Sequence, residues 1–265
     1  MTAVGAVKAA FSMFTIIRVD VEGEEVMGLA KRFYLVVLVG LFLGLISGGL
    51  MYFLTEVWSP LVCAIMVVFV MMGLNRFLHL DGLCDMGDGF LVLGDKERKL
   101  AVMKDSHIGS GGLAYGMLFV LLSVASLSSI DRSFYFLAPF ATEILIKVSM
   151  VACAASGEAR EGLGGMFVKN TNLGTVVISV VLAMVFIVPA FMLMAPDSMG
   201  PEHMSWVISL CAIAAIVVGA VVARFAMKHF GIVNGDILGA TNEIARPIIL
   251  LAFTGALWLA DLQLL

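Results

Sequence analysis

Apolar residues run along this chain in long blocks, separated by short groups of charge, glycine and proline. A helix needs about 20 mainly apolar residues to cross the hydrocarbon core of a bilayer. Seven blocks read as such helices: 33–54, 58–74, 111–130, 134–155, 173–195, 205–228 and 246–264. The second is the shortest. Residues 3–17 are also apolar, but Lys8 interrupts them and no small-x-small cleavage pattern precedes Asp20. That segment is expected to remain in the mature chain as an interfacial helix rather than to act as a signal peptide.

Composition agrees with the pattern. Apolar residues make up 61% of the 265 positions and charged residues only 14%, against about 25% charged in soluble domains. That excludes an ordinary soluble enzyme, a disordered chain and a disulfide scaffold. The net charge of −4 speaks against nucleic acid as a partner. The four cysteines, Cys63, Cys84, Cys153 and Cys211, show no metal-ligand spacing and read as reduced, buried small hydrophobes. No linker and no internal repeat divides the chain, so residues 1–265 are expected to form a single all-α, polytopic membrane bundle with lipid around it.

Lys and Arg orient the bundle. With residues 1–32 in the cytoplasm, the other side receives only Arg132 of the 16 basic residues. Segments 75–112, 156–172 and 229–246 then fall on the cytoplasmic side, as motif-bearing loops of a protein of the cytoplasmic membrane. They hold most of the charge.

The densest motif is His79-Leu80-Asp81-Gly82-Leu83-Cys84-Asp85-Met86-Gly87-Asp88-Gly89. Asp81, Asp85 and Asp88 fall at i, i+4 and i+7, on one face of a helix. Three carboxylates so close repel one another unless a cation joins them, and a few hard oxygen ligands suit Mg²⁺, which also binds substrate phosphates. The interleaved glycines leave room for a large ligand to approach the backbone. A second motif, Lys104-Asp105-Ser106-His107-Ile108-Gly109-Ser110-Gly111-Gly112, leads into a span and offers backbone N–H groups and a helix N-terminus to a phosphate. A third, Asn234-Gly235-Asp236 to Asn242-Glu243, places Asp236 and Glu243 seven residues apart on one helical face. Arg160, in a Gly-rich stretch, is suited to bidentate phosphate binding. Inside the fourth span, Glu143 and Lys147 at i and i+4 read as an internal ion pair. Carboxylates, Mg²⁺ and Gly-rich segments at one membrane face suggest transfer of a substituted phosphoryl group from a diphosphate.

The motif at 75–89 resembles the signature of the cobalamin synthase family, the adenosylcobinamide-GDP ribazoletransferases. Met103-Lys104-Asp105-Ser106-x-Ile108-Gly109 and Gly235-Asp236-x-Leu238-Gly239-Ala240-x-x-Glu243-Ile244 are similar to that family's second and late motifs, and 11–21 resembles its opening segment. Cys84, His107, Asn234 and Lys147 stand where family members commonly carry other residues. The resemblance implies an integral membrane transferase that needs Mg²⁺. Its substrates would be adenosylcobinamide-GDP and α-ribazole or α-ribazole 5′-phosphate, and its products adenosylcobalamin, or the 5′-phosphate, and GMP. The ribazole 3′-hydroxyl would attack the phosphorus nearer cobinamide. On that reading Asp81, Asp85 and Asp88 hold the metal, and Asp81, Asp85 or His79 accepts the hydroxyl proton. Lys104, Asp105, Ser106, Arg160, Asn234, Asp236 and Glu243 contact phosphate or nucleoside. Two rival readings are a CDP-alcohol phosphotransferase, whose Ala-Arg pair is missing after Asp81-Gly82, and a transporter, which would spread its acids through the depth of the bilayer.

Overall fold

The computed structural model describes residues 2–105, 107–159 and 162–261, and all regular structure among them is helical. α1 (Ala3–Phe14) and α2 (Gly23–Ala30) form an N-terminal pair, held in part by Lys8 and Glu25 at 3.3 Å. The body comprises α3 (Val36–Leu54), α4 (Pro60–Leu74), α5 (Leu78–Leu91), α6 (Lys96–Met103), α7 (Ser110–Ser128), α8 (Leu137–Ser156), α9 (Leu163–Asn170), α10 (Leu173–Met194), α11 (Pro201–His229) and α12 (Gly235–Asp261). Local chemistry marks the helix starts. Pro60 and Pro201 open α4 and α11, where a missing N–H costs nothing. Asp95 accepts the Arg98 N–H at the start of α6, and Asn172 and Thr175 form a capping box on α10.

Six helices, α3 with the turn before it, α7, α8, α10, α11 and α12, are long and apolar enough to cross a membrane. α4 and α5 reach the length of a seventh only when taken together. α5 bends away from α4 by 92° and bridges the first turns of α12 and α7. The break falls at Arg76 and Phe77, with φ of 56° and 55°, in the left-handed region that non-glycine residues rarely adopt. Neighbours hold it there. The Arg76 guanidinium donates to the carbonyls of Ser12 (3.4 Å) and Met13 (3.0 Å) at the end of α1, and the Ile16 N–H donates to the Leu74 carbonyl at 2.8 Å.

Three expectations change here. The motif segments 75–112 and 156–172 are largely helical rather than loops, carrying α5, α6 and α9. The last span does not begin at Arg246. α12 starts at Gly235, so most of segment 229–246 is helix as well. Asn234 caps that helix by accepting the Ile237 N–H at 3.0 Å, which extends it back into the polar motif.

α8 is the axis of the bundle. It is buried along the whole of its candidate span and packs against α3, α10, α11 and α12. Surrounded by protein rather than lipid, it can carry polar side chains that a lipid-facing helix cannot. Its contact with α3 is backbone to backbone. A Cβ added at Gly40, Gly44 or Gly48 would come within 2.7, 2.6 and 2.7 Å of the carbonyls of Glu143, Phe140 and Phe136. Small residues four apart permit such close approach. Gly44→Leu is therefore expected to lower thermal stability in detergent by about 1–3 kcal/mol or more. Gly49→Leu, at a position with nothing within 4 Å, is expected to leave the melting curve unchanged.

Candidate active site

α5 carries the acids into the site. Gly82 makes its position possible, since a Cβ there would lie 2.5 Å from the Asp236 carbonyl on the first turn of α12. The contact sets Asp81 beside Asp236. Gly87 packs on Tyr115 and Gly112, and Gly89 on Met103, Lys99 and Phe230. The glycines of this motif thus admit neighbouring helices, not the ligand expected from sequence. Lys99 closes the far end of α5 by donating to the carbonyls of Phe90 (2.6 Å) and Val92 (2.8 Å), a cation at a helix C-terminus.

Asp81 is exposed, and Asp85 and Asp88 are half-buried. Burial, then the charges of Asp81, Asp236 and Asp88, push the Asp85 carboxyl up to about 7. Asp88 is engaged at the start of α7. One of its oxygens accepts the Gly109 N–H and the other the Gly112 N–H, each at 2.7 Å. Two of the amides expected to receive a phosphate are thereby taken by a carboxylate of the protein itself. Among the described residues no three His, Cys, Asp or Glu side chains converge into a ready-made metal cage.

Two cavities flank α5. The first, about 530 Å³ and open, lies along Asp88, Asp105, His107, Gly109, Ser110 and Gly111. The second, about 260 Å³, is lined by Phe14, His79, Asp81, Met150, Phe167 and Asp236 among others. Asp81 and Asp88, at opposite ends of the acid face, therefore look onto different spaces.

Behind the acids lies a fully buried polar network from α5, α8 and α12. Lys147 Nζ donates to Asn242 Oδ1 at 2.6 Å and sits 3.4 Å from His79 Nε2. Arg246 Nε donates to Glu143 Oε1 at 3.1 Å, and Arg246 Nη1 donates to Glu243 Oε2. Asn242 Nδ2 donates to Glu243 Oε1 at 3.1 Å. Glu143 thus pairs with Arg246 across two helices, and the ion pair expected between Glu143 and Lys147 gives way to it. An i, i+4 pair reaches only along its own helix, whereas α12 presents a guanidinium fork to two carboxylates at once.

The residues picked out from sequence divide accordingly. Asp81, Asp85, Asp88 and Asp236 gather around α5. His79 lies at the edge of this group, in the wall of the smaller cavity. Glu243 is buried with Arg246 instead of joining Asp236. Asn234 is engaged in the helix cap, and its Nδ2 donates to Asp236 Oδ2 at 2.8 Å. Lys104 is exposed, near enough to Asp236 for their charges to interact. Asp105 is exposed and bonded to His107, whose backbone N–H (3.0 Å) and Nδ1 (2.7 Å) face the same oxygen. Those bonds hold its carboxyl below the usual range. Ser106 and Arg160 lie outside the described residues. Asn242, part of the third motif, is buried in this network, and Arg246 went unrecognised in the sequence. The i, i+3 spacing of Glu243 and Arg246 was the available signal, hidden by placing the helix start at Arg246.

Acids collected at one end of an apolar helical bundle, between two cavities, mark a multi-pass membrane enzyme rather than a conduit whose acids follow a path. A family model described as Cobalamin-5-phosphate synthase matches residues 6–254, and the chain belongs to that family. It is 33% identical over 264 residues to an adenosylcobinamide-GDP ribazoletransferase of Methanococcoides burtonii, covering 95% of this chain and 92% of that one. A Methanocella arvoryzae protein of the same name is 29% identical, with 95% and 96% covered. One from Caldanaerobacter subterraneus is 26% identical, with 90% and 91% covered. No solved structure matches.

The buried network yields a stability test. Arg246→Met leaves Glu143 and Glu243 facing only Lys147 and is expected to cost about 3–5 kcal/mol, seen as a lower melting temperature in detergent. Adding Glu143→Gln restores neutrality, so the double variant is expected to melt above the single one.

Proposed function

We propose that this protein joins adenosylcobinamide-GDP to α-ribazole or α-ribazole 5′-phosphate, releasing GMP, with Mg²⁺ and with its acid cluster on the cytoplasmic side of the cytoplasmic membrane. The observation that carries the reading is the meeting of Asp81, Asp85, Asp88 and Asp236 around α5, in a chain whose relatives are named for this transfer. The family membership replaces the two rival readings, and the Lys and Arg distribution supports the orientation.

The donor set fits the metal. Mg²⁺ is usually held by one or two carboxylates, with waters and substrate phosphates completing the shell, so no three-ligand cage is required. Asp81, Asp85 and Asp236 are the oxygens available to it. Both oxygens of Asp88 already accept an amide, which leaves it chiefly as the anchor of α7. When bound, the metal neutralises the diphosphate and stabilises the leaving phosphate.

The chain's own groups do the rest. The ribose hydroxyl oxygen forms a new bond to the phosphorus nearer cobinamide, and the bond from that phosphorus to the bridging oxygen breaks. GMP leaves with the electron pair. The hydroxyl proton passes to a carboxylate, for which Asp81 is suited, being exposed and without an ion-pair partner among the described residues. Lys104 adds positive charge at the mouth. The neutral network beneath keeps α5 and α12 in register while substrates come and go.

Incubating the detergent-solubilised protein with adenosylcobinamide-GDP, α-ribazole phosphate and Mg²⁺ is expected to release GMP, followed by chromatography. No GMP under those conditions overturns the reading. Asp81→Asn is expected to reduce turnover by at least about 100-fold with an unchanged melting curve, and excess EDTA to abolish it reversibly. Proton and cation compete for Asp85. Its carboxyl is raised, so the proton is held below about pH 7 and released above it. The Mg²⁺ concentration for half-maximal activity is therefore expected to climb by up to about tenfold per pH unit below 7, and Asp85→Asn to flatten that climb.

A further inference from the structure

We infer that the cavity of about 260 Å³ beside α5 binds the flat two-ring base of the nucleoside acceptor, the α-ribazole of the proposed reaction on which this inference rests. Drug-sized ligands occupy roughly 300–1,000 Å³, so this space suits a single ring system and cannot take a corrinoid with its attached nucleotide. Its walls are aromatic and soft. Phe14 lies 6.1 Å from His79 and 6.3 Å from Phe167, ring centroid to centroid, and Met13 and Met150 add polarisable sulfur that adapts to an aromatic face.

The polar features are few and specific. His79 Nδ1 is buried with no hydrogen-bond partner. On the other side of the ring, Lys147 Nζ faces Nε2. An ammonium only donates, so Nε2 accepts and the ring proton sits on Nδ1. The ring lines the cavity, with Nδ1 itself closed off beside Gly239. Guanine, with polar groups around most of its edge, matches a largely apolar wall poorly. The mouth supplies the second feature. Asp81 and Asp236 line the same cavity, so a nucleoside seated base-inward brings its ribose hydroxyl out at the carboxylates. Asp88 and the larger cavity lie at the other end of the acid face, where the bulk of the second substrate has room while its diphosphate reaches across to Asp81, Asp85 and Asp236.

The wild-type protein supplies the first test. In steady-state GMP release, free 5,6-dimethylbenzimidazole is expected to compete with α-ribazole and not with adenosylcobinamide-GDP. Competition against adenosylcobinamide-GDP instead, or GMP competing with α-ribazole, overturns the inference. Phe167→Leu and Phe14→Leu are each expected to raise the KM for α-ribazole about tenfold, equivalent to about 1.4 kcal/mol, with the KM for adenosylcobinamide-GDP within about twofold. Equal rises in both KM values in folded variants also overturn it. Calorimetric binding of α-ribazole to the wild-type protein separates the two claims. Binding that weakens in both variants supports the pocket even where no GMP is released, a result that would sink the reaction alone. The absence of α-ribazole binding to a protein that does release GMP sinks the pocket assignment.

Discussion

Glu143, Lys147, Glu243 and Arg246 are buried in the interior, and their charges sum to zero. Removing such groups from water costs several kcal/mol each unless partners replace the lost hydration. Here the partners sit on different helices. Arg246 of α12 answers Glu143 of α8 as well as Glu243 of its own helix, while Lys147 of α8 reaches Asn242 of α12 and His79 of α5. Each helix's pair of charges already sums to zero, but the hydrogen bonds that replace the lost water are made only when α5, α8 and α12 are together in one arrangement. The same three helices place His79, Asp81 and Asp236 around the smaller cavity, so the hydrogen bonding of charge in the interior holds the geometry of the working face.

That face has the opposite character. Asp81, Asp85, Asp88 and Asp236 gather with one nearby exposed cation, Lys104, among the described residues. Burial first, and then the excess negative charge, raise the Asp85 carboxyl. A protein that balances its buried charges so closely leaves this group short of positive charge, as the proposed binding of a cation together with phosphates requires. Asp88 is the exception, and its two amide bonds tie the start of α7 to the acid face of α5. The larger cavity is therefore walled by the same helix that carries the acids.

Much of this was legible in the sequence. The apolar blocks located the helices of the bundle, because a bilayer's thickness sets a length that composition alone reveals. The i, i+4, i+7 spacing of Asp81, Asp85 and Asp88 put three carboxylates on one helical face before any partner was known. What misled was the nature of the gaps. Polar segments beside a membrane read as loops, yet α5, α6, α9 and the start of α12 are helices, stabilised by caps and by packing that a window of hydropathy does not see. The glycines among the aspartates fit a ligand or a neighbouring helix equally well on paper. Only the approach of Asp236, Tyr115 and Met103 shows which one fills them.

The sequence by itself determined the class of fold, the apolar blocks long enough to cross a membrane and the sharing of one helical face by Asp81, Asp85 and Asp88, since these follow from helical period and from the cost of placing charge in lipid. The tertiary structure decided which charge answers which. Glu143 was legible only with the neighbour on its own helix, Lys147, and its actual partner stands 103 residues away in the chain. It also decided that Asp236 joins the acids while Glu243, seven residues on along the same helix, goes to the interior. Pairing energy depends on distance in space through a low-dielectric interior, and separation along the chain does not encode that distance.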